Sequence, residues 1–199
     1  TVVRAVLERA GVEPSEVQHV VFGQVVNTEP KDMYLSRVAS LNAGIPDSAV
    51  AMNVNRLCGS GLQAIISAAQ AIKLGDAQVA IGAGAESMSC APYLAPAQRW
   101  GARMGDAALI DMMTGALSDP LANVHMGVTA ENVAKRHEIS RADQDALAVS
   151  SHQRAENAIK QGYFKSQIVP VVQKTRKGEV VFDTDEHVRM GAKAEDFEG

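Results

Sequence analysis

Val50, Met52 and Val54 alternate along the chain and run directly into Asn55-Arg56-Leu57-Cys58-Gly59-Ser60-Gly61; Leu62, Ile65, Ile66, Ala69 and Ile72 then follow at helical spacing. Alternation reads as a strand and the second spacing as a helix. No other feature constrains the fold as tightly, because an apolar strand that turns straight into an apolar helix belongs in a sheet covered by helices. The turn also sets Cys58 beside the N–H groups that open a helix and the positive end of its dipole. Such a setting favours the thiolate, the nucleophilic form of cysteine. Gly59 and Gly61 let the backbone turn sharply and a substrate approach closely. The competing reading is inert packing, the usual fate of a cysteine in an alanine-rich neighbourhood. Against it stand the small residues Gly59, Ser60 and Gly61, where a helix's first turn disfavours glycine. Against it also stands the polar pair Asn55-Arg56, at the strand end where function collects in α/β folds.

The alternation of strand and helix continues on either side. Residues 2–10 read as a helix stopped by Gly11, and 17–26 as a buried, β-branched strand. Residues 34–43 read as a helix stopped by Gly44 with Pro46 beyond, and 77–85 as a second buried strand after Gly75-Asp76. The pattern is an α/β fold with a parallel or mixed sheet covered by helices. After Glu86 the character changes. Residues 87–119 are rich in Met, Ala, Gly and Pro, contain Trp100 and Arg103, and show no clear period beyond a short helix-like piece at Met112-Met113. A stretch of this kind is often functional or oligomeric. Residues 128–138 read as a helix, and Ser140-Arg141-Ala142-Asp143 resembles a capping box opening a helix that reaches about Gln161. Residues 168–172 and 179–182 read as short strands around Lys177-Gly178, and 191–199 carry no stop signal.

The 199 residues are 46% hydrophobic and 21% charged, enough for one substantial core or one and a half domains. A net charge of −4 without a basic, aromatic-interleaved stripe argues against a general nucleic-acid binder. Apolar stretches are broken well short of a membrane span and no signal peptide is read, so a cytoplasmic protein off the membrane is expected. The five histidines are scattered, and no Cys-x-x-Cys or His-x-x-x-His pair occurs, so no metal site is expected. A disulfide between Cys58 and Cys90 is arithmetically possible but not favoured, since nothing points to an oxidising compartment. The chain opens in mid-helix without an initiator methionine, and the natural protein is expected to start earlier.

Several motifs, in order along essentially the whole chain, resemble those of the thiolases. Asn55-Arg56-Leu57-Cys58-Gly59-Ser60-Gly61-Leu62-Gln63-Ala64 is similar to the family's nucleophile motif. Gly82-Ala83-Gly84-Ala85-Glu86-Ser87-Met88-Ser89 resembles its second strand-and-loop motif, and His125-Met126-Gly127-Val128-Thr129-Ala130-Glu131-Asn132 resembles the segment lining the coenzyme A site. Arg99-Trp100-Gly101-Ala102-Arg103-Met104-Gly105-Asp106 is most similar to bacterial β-ketothiolases of broad short-chain scope. Motifs that agree in series carry far more weight than a single short pattern.

The resemblance implies a thiolase-like α/β fold: the N-terminal half of a two-half molecule, a mixed sheet covered by helices, with an inserted loop domain and the second half absent. Residues 1–86 would be the core domain, incomplete at its start. Residues 87–199 would be the loop domain, with tetramerisation and coenzyme A-binding segments, incomplete at its end. The implied chemistry is acyl transfer between Cys58 and coenzyme A: Claisen condensation of two acyl-CoA molecules, or the reverse thiolysis of 3-oxoacyl-CoA. Coenzyme A thioesters are then substrates, and no cofactor is expected. Leu117, His125 and Met126 match positions that contact the pantetheine arm and adenine end of coenzyme A, and Arg189 matches an arginine near the adenine. For His125 the alternative is a structural histidine, for Met126 a filler, and for Arg189 a solvated surface charge. Cys90 is read as incidental. The activating histidine, the acid/base cysteine and one oxyanion donor belong to the family's second half, and nothing among the 199 residues replaces them. The chain is therefore expected to be a truncated piece, poorly active alone and exposing an apolar face. The complete protein is expected to form a dimer or tetramer. Two other classes stay open: a ketoacyl synthase working on carrier-protein thioesters, and a non-catalytic protein of thiolase-like fold.

Overall fold

The computed structural model describes residues 1–197. The chain divides into two compact units, Val2–Met126 on one side and Gly127–Gly199 with Thr1 on the other. The first unit contains helix α1 (Val2–Ala10), strand β1 (His19–Gly23), helix α2 (Leu35–Asn42), strand β2 (Val50–Val54), helix α3 (Ser60–Leu74) and strand β3 (Ala80–Gly84). The strands form a three-stranded sheet in the order β2-β1-β3. His19 lies opposite both Val50 and Ala80, and both pairings run parallel. A helix interrupts each connection, as parallel neighbours require. The mixed sheet expected from sequence is thus parallel throughout these strands, and antiparallel pairing is found in short ladders outside it.

The central strand explains its own sequence. Val20, Val21 and Phe22 of β1 are all buried, because β1 is covered on both faces. Val20 and Phe22 pack with Val3 and Leu7 of α1 and with Val17, Ile45 and Ala49. Val21 points the other way, onto Ala64 and Ala68 of α3. Burying each of these large side chains stabilises the fold by about 1.5–3 kcal/mol. Helix α3 lies so close to the sheet that two strand positions need glycine. A Cβ on Gly23 would sit 2.4 Å from the Ser60 carbonyl carbon, and one on Gly82 would sit 2.6 Å from the Ile65 Cα. The close approach puts the alanines of α3 against the sheet and leaves its larger residues outside: Leu62 is 65% exposed and Ile65 56% exposed.

Both long sequence strands are shorter in the structure. Residues 17–26 reduce to His19–Gly23 because the N–H groups of Val25 and Val26 leave the sheet and donate to the Glu86 carboxylate. Residues 77–85 reduce to Ala80–Gly84, after α3 has ended at Gly75 with φ 84°.

Beyond β3 the aperiodic stretch resolves into small pieces. Strand β4 (Tyr93–Leu94) pairs antiparallel with β5 (Ile110–Asp111), and helix α4 (Met112–Ala116) follows at once. The Asp111 carboxylate caps α4 by accepting the Met113 N–H at 2.8 Å. Strand β6 (Ser118–Asp119) pairs with β7 (Val124–His125). The three-stranded sheet therefore ends at Gly84, and the two compact units part after Met126.

Helix α5 (Met126–Arg136) opens the remainder, followed by helix α6 (Arg141–Gln161) and the antiparallel pair β8 (Val171–Thr175) and β9 (Gly178–Phe182). The expected capping box is formed: Ser140 Oγ accepts the Asp143 N–H at 3.1 Å, and Asp143 Oδ2 accepts the Ser140 N–H at 3.3 Å. Gly162, with φ 69°, ends α6. Glu198 and Gly199, the end of the stretch read as lacking a stop signal, lie outside the described residues. Among the described residues no helix is long and apolar enough to cross a membrane.

Candidate active site

The turn between β2 and α3 is built by its own side chains. Asn55 Oδ1 accepts the Leu57 N–H at 2.9 Å, while its Nδ2 donates to the Val25 carbonyl at 3.1 Å. Ser60, buried at the first position of α3, accepts the Arg56 N–H at 2.9 Å and donates its hydroxyl to the Leu57 carbonyl at 2.6 Å. Arg56 reaches along the helix and donates to Gln63 Oε1 at 2.7 Å. These bonds hold Leu57 at φ 49°, a left-handed conformation that a branched residue adopts only when its surroundings impose it. Cys58 follows immediately. It is exposed, its thiol is free, and it stands just ahead of the first turn of α3.

Cys58 lies on the wall of a cavity of about 440 Å³. Leu57, Ser60 and Gly61 line it from the turn, Gly23, Val25 and Val26 from the end of β1, and Gly84, Ala85 and Glu86 from the end of β3. Met88, Ala91, Met113, Ala116 and Leu117 complete the lining. The cavity therefore opens beyond the carboxyl ends of the parallel strands, where open α/β sheets place their ligands. Its walls are largely apolar, and the one carboxylate among them is already engaged. Glu86 accepts the Val25 N–H at 2.7 Å and the Val26 N–H at 3.1 Å. Together with the Ala85 N–H donated to Gly23 at 3.1 Å, this ties the exits of β1 and β3 to each other.

Two further polar residues hold the loop after β1. Asp32 Oδ2 accepts the Thr28 hydroxyl and the Thr28 N–H, both at 2.7 Å, and also the Glu29 N–H and the Gln24 amide. The Thr28 hydroxyl, followed by the backbone N–H groups, holds the Asp32 carboxyl below its ordinary range. Asn53 of β2 donates to the Asp32 and Met33 carbonyls and accepts the Ser36 N–H at 3.0 Å.

Of the residues singled out in the sequence, Cys58 and Leu117 line one cavity. His125 and Met126 stand directly behind Leu117 and are not among the lining residues. His125 pairs with Ser118 across the β6–β7 ladder, and the Met126 N–H donates to the Leu117 carbonyl at 2.8 Å. Arg189 belongs to the second unit and is exposed. Its N–H donates to His152 Nδ1 at 3.1 Å, and its guanidinium carbon lies 5.6 Å from the centre of the Phe197 ring. Cys90 is exposed and free, like Cys58. Sequence reasoning missed Asp32, Asn53 and the clamping role of Glu86. Glu86 stood inside a quoted motif, but its partners lie 60 and 61 residues away.

A parallel sheet covered by helices, with an exposed free cysteine at the head of a helix beside the strand exits, defines an α/β protein. A family model described as "Thiolase, N-terminal domain" matches residues 1–199. The chain belongs to the thiolase family. It is 68% identical over 196 residues to the beta-ketothiolase BktB of Cupriavidus necator, covering 98% of this chain and 50% of that protein. The acetyl-CoA acetyltransferase of Bacillus anthracis superimposes with a TM-score of 0.92 at 42% identity, over 98% of this chain and 49% of that one. Human mitochondrial 3-ketoacyl-CoA thiolase, solved in complex with CoA, gives a TM-score of 0.91 at 36% identity, over 98% of this chain and 48% of that one. The chain spans about half the length of the curated relatives it matches.

Proposed function

We propose that this chain supplies the acyl-accepting part of a coenzyme A-dependent C-acyltransferase. The Cys58 thiolate attacks the thioester carbonyl of an acyl-CoA, an oxyanion forms, and coenzyme A leaves as the thiolate, which takes up a proton. The acyl-cysteine then accepts the carbanion of a second acyl-CoA, giving a 3-oxoacyl-CoA and restoring the cysteine; thiolysis is the reverse. The observation that carries this reading is the exposed Cys58 thiol on the wall of the apolar cavity at the strand exits. A thioester-for-thioester exchange needs a sulfur nucleophile and a site that excludes water more than it needs charge. By family resemblance the Cys58 N–H is one of two oxyanion donors, a term that is often the largest in acyl transfer. Leu117 would touch the pantetheine arm from the cavity wall, with His125 and Met126 behind it, and Arg189 would meet the adenine end.

The activating histidine and acid/base cysteine that the resemblance implies are not found among these 199 residues. We therefore read full turnover as a property of a longer or completed protein. In it, residues 87–199 would act as the loop domain, and copies would associate as dimers or tetramers. The two free thiols fit a reducing compartment, and we read the protein as cytoplasmic. The test is acetoacetyl-CoA thiolysis and acetyl transfer by the full-length protein carrying this chain. Transfer from acetyl-CoA but not from acetyl-carrier protein is expected. Equal use of the carrier protein would make the chain a ketoacyl synthase, and no transfer from either donor would leave a non-catalytic protein.

A further inference from the structure

We infer that Met88, Ala91 and Met113 form the wall that receives the acyl chain, and that this wall selects unsubstituted aliphatic chains longer than acetyl. The inference rests on the reading of Cys58 as the acyl acceptor and of Leu117 as a contact of the pantetheine arm. These five residues line one cavity. From the carbonyl at Cys58 a substrate extends in two directions, the pantetheine arm one way and the acyl chain the other. Helix α4 offers a place for each. Met113 and Leu117 are four residues apart, joined by the Leu117 N–H donated to the Met113 carbonyl at 3.2 Å, and both line the cavity. That spacing separates them by about 6 Å along the helix. Met88 and Ala91 belong with the Met113 end. Pro92, next to Ala91, accepts the Met112 N–H at 3.1 Å, and Tyr93 pairs with Asp111. The Asp111 carboxylate fixes this end of α4 by accepting the Met113 N–H at 2.8 Å and the Thr114 hydroxyl at 3.0 Å.

The chemistry of that end is apolar and adaptable. Methionine is unbranched, with a soft thioether that fits itself to irregular shapes, and alanine leaves room beside it. Met88 is 55% and Met113 37% exposed, so neither is packed into the core. Apart from Cys58, the polar side chains of the lining stand elsewhere and are already used. Ser60 accepts the Arg56 N–H and donates to the Leu57 carbonyl, and the Glu86 carboxylate holds the Val25 and Val26 N–H groups. A hydrocarbon chain laid against the two methionines gains about fourfold for each methylene it buries. A chain that ends in a carboxylate brings a charge to a wall that offers it no partner.

The test uses the full-length protein carrying this chain and reads the rate at which Cys58 is acylated, by rapid quench and peptide mass spectrometry. The donors are acetyl-, hexanoyl-, octanoyl- and adipoyl-CoA. Wild type should take hexanoyl at least as fast as acetyl. Adipoyl, equal to hexanoyl in length but ending in a carboxylate, should be slower than hexanoyl by a factor on the order of 100. Ala91→Leu narrows the wall and should lower the hexanoyl-to-acetyl ratio about tenfold or more, the worth of one misplaced methylene in a hydrophobic pocket. Met113→Ala opens the wall and should raise the octanoyl-to-hexanoyl ratio about fourfold or more. A damaged fold would slow every donor and would not move these ratios in opposite directions. Leu117→Ala should slow all donors alike, since every donor carries the same pantetheine arm. A ratio that stays put or moves the other way in Ala91→Leu or Met113→Ala would overturn the wall, as would adipoyl transfer at the hexanoyl rate. A changed chain preference in Leu117→Ala would overturn the division of α4 into two ends. Failure of acetyl-CoA to acylate Cys58 in wild type would instead overturn the reading of Cys58 itself.

Discussion

Leu57 holds a left-handed conformation that costs about 1–3 kcal/mol, and the surrounding bonds from Asn55 and Ser60 offset it. The consequence is positional: the residue after Leu57 is carried out of the strand direction and onto the cavity wall, and that residue is Cys58. Asn55→Ala should therefore impair acylation of Cys58 more than it lowers stability, because it frees both the Leu57 N–H and the Val25 carbonyl; acylation rate and urea denaturation of the same variant would separate the two effects. Glu86 is a different case. Its carboxylate is already spent on Val25 and Val26, so it is a clamp and not a general base. Glu86→Ala should lower stability by about 1–2 kcal/mol, read from urea denaturation. Asp32 carries a pH dependence whose sign follows from its lowered pKa. Its contribution is complete above the ordinary carboxyl value of 3.8 and is lost as the pH falls through the lower folded value. Asp32→Asn should flatten that part of the acid-unfolding profile, and a profile unchanged by the substitution would contradict the assignment.

At the scale of elements, the contact between α3 and the sheet decides most of the local architecture. Gly82→Ala drives a methyl group against the Ile65 backbone, which cannot swing aside as a side chain could, and should destabilise by about 3 kcal/mol. Gly61→Ala is the matched control: nothing lies within 4 Å of its Cβ position, and alanine suits a helix better, so stability should hold or rise by about 1 kcal/mol. Thermal or urea unfolding of the pair distinguishes close packing from a general intolerance of change. The same contact shows what was legible in the sequence. The strand–turn–helix unit, the helix stops and the Ser140 capping box depend on neighbours in the chain, and each formed where the sequence placed it. The strand ends did not, because Val25 and Val26 are β-branched like the residues before them, and a distant carboxylate takes their N–H groups. The face of α3 that meets the sheet was hidden for a similar reason: two glycines on other elements, Gly23 and Gly82, allow alanines to outcompete larger residues for that position. The place of Cys58 at the turn between β2 and α3 was legible because its glycines and serine are adjacent in sequence. The pairing of Cys58 with Leu117 in one cavity was carried only by family resemblance, since no local pattern connects them.

On the scale of the whole molecule, the described residues expose apolar side chains in several places, and two of them bear on assembly. One is the outer face of α3, where Leu62, Ile65 and Ile72 are exposed, and the other is the stretch after β3, where Trp100 is 85% and Met104 98% exposed. Apolar surface of this extent marks an interaction site. Deletion of residues 92–104 should reduce the tetramer proposed for the full-length protein to dimers without unfolding it, and light scattering of a deletion variant that stays tetrameric would make the loop a mere cover. The 199-residue chain by itself should thiolyse acetoacetyl-CoA slower than the full-length protein by a factor of about 10,000 or more. One missing oxyanion donor costs about 100- to 1,000-fold and a missing base about 100- to 10,000-fold. The most direct test of the account is where an acyl group lands. Incubation of the full-length protein with isotopically labelled acetyl-CoA, followed by acid quench and peptide mass spectrometry, should place one acetyl group on Cys58 and none on Cys58→Ser, with Cys90→Ser labelled as wild type. Label on Cys90, or labelling that survives Cys58→Ser, would contradict it.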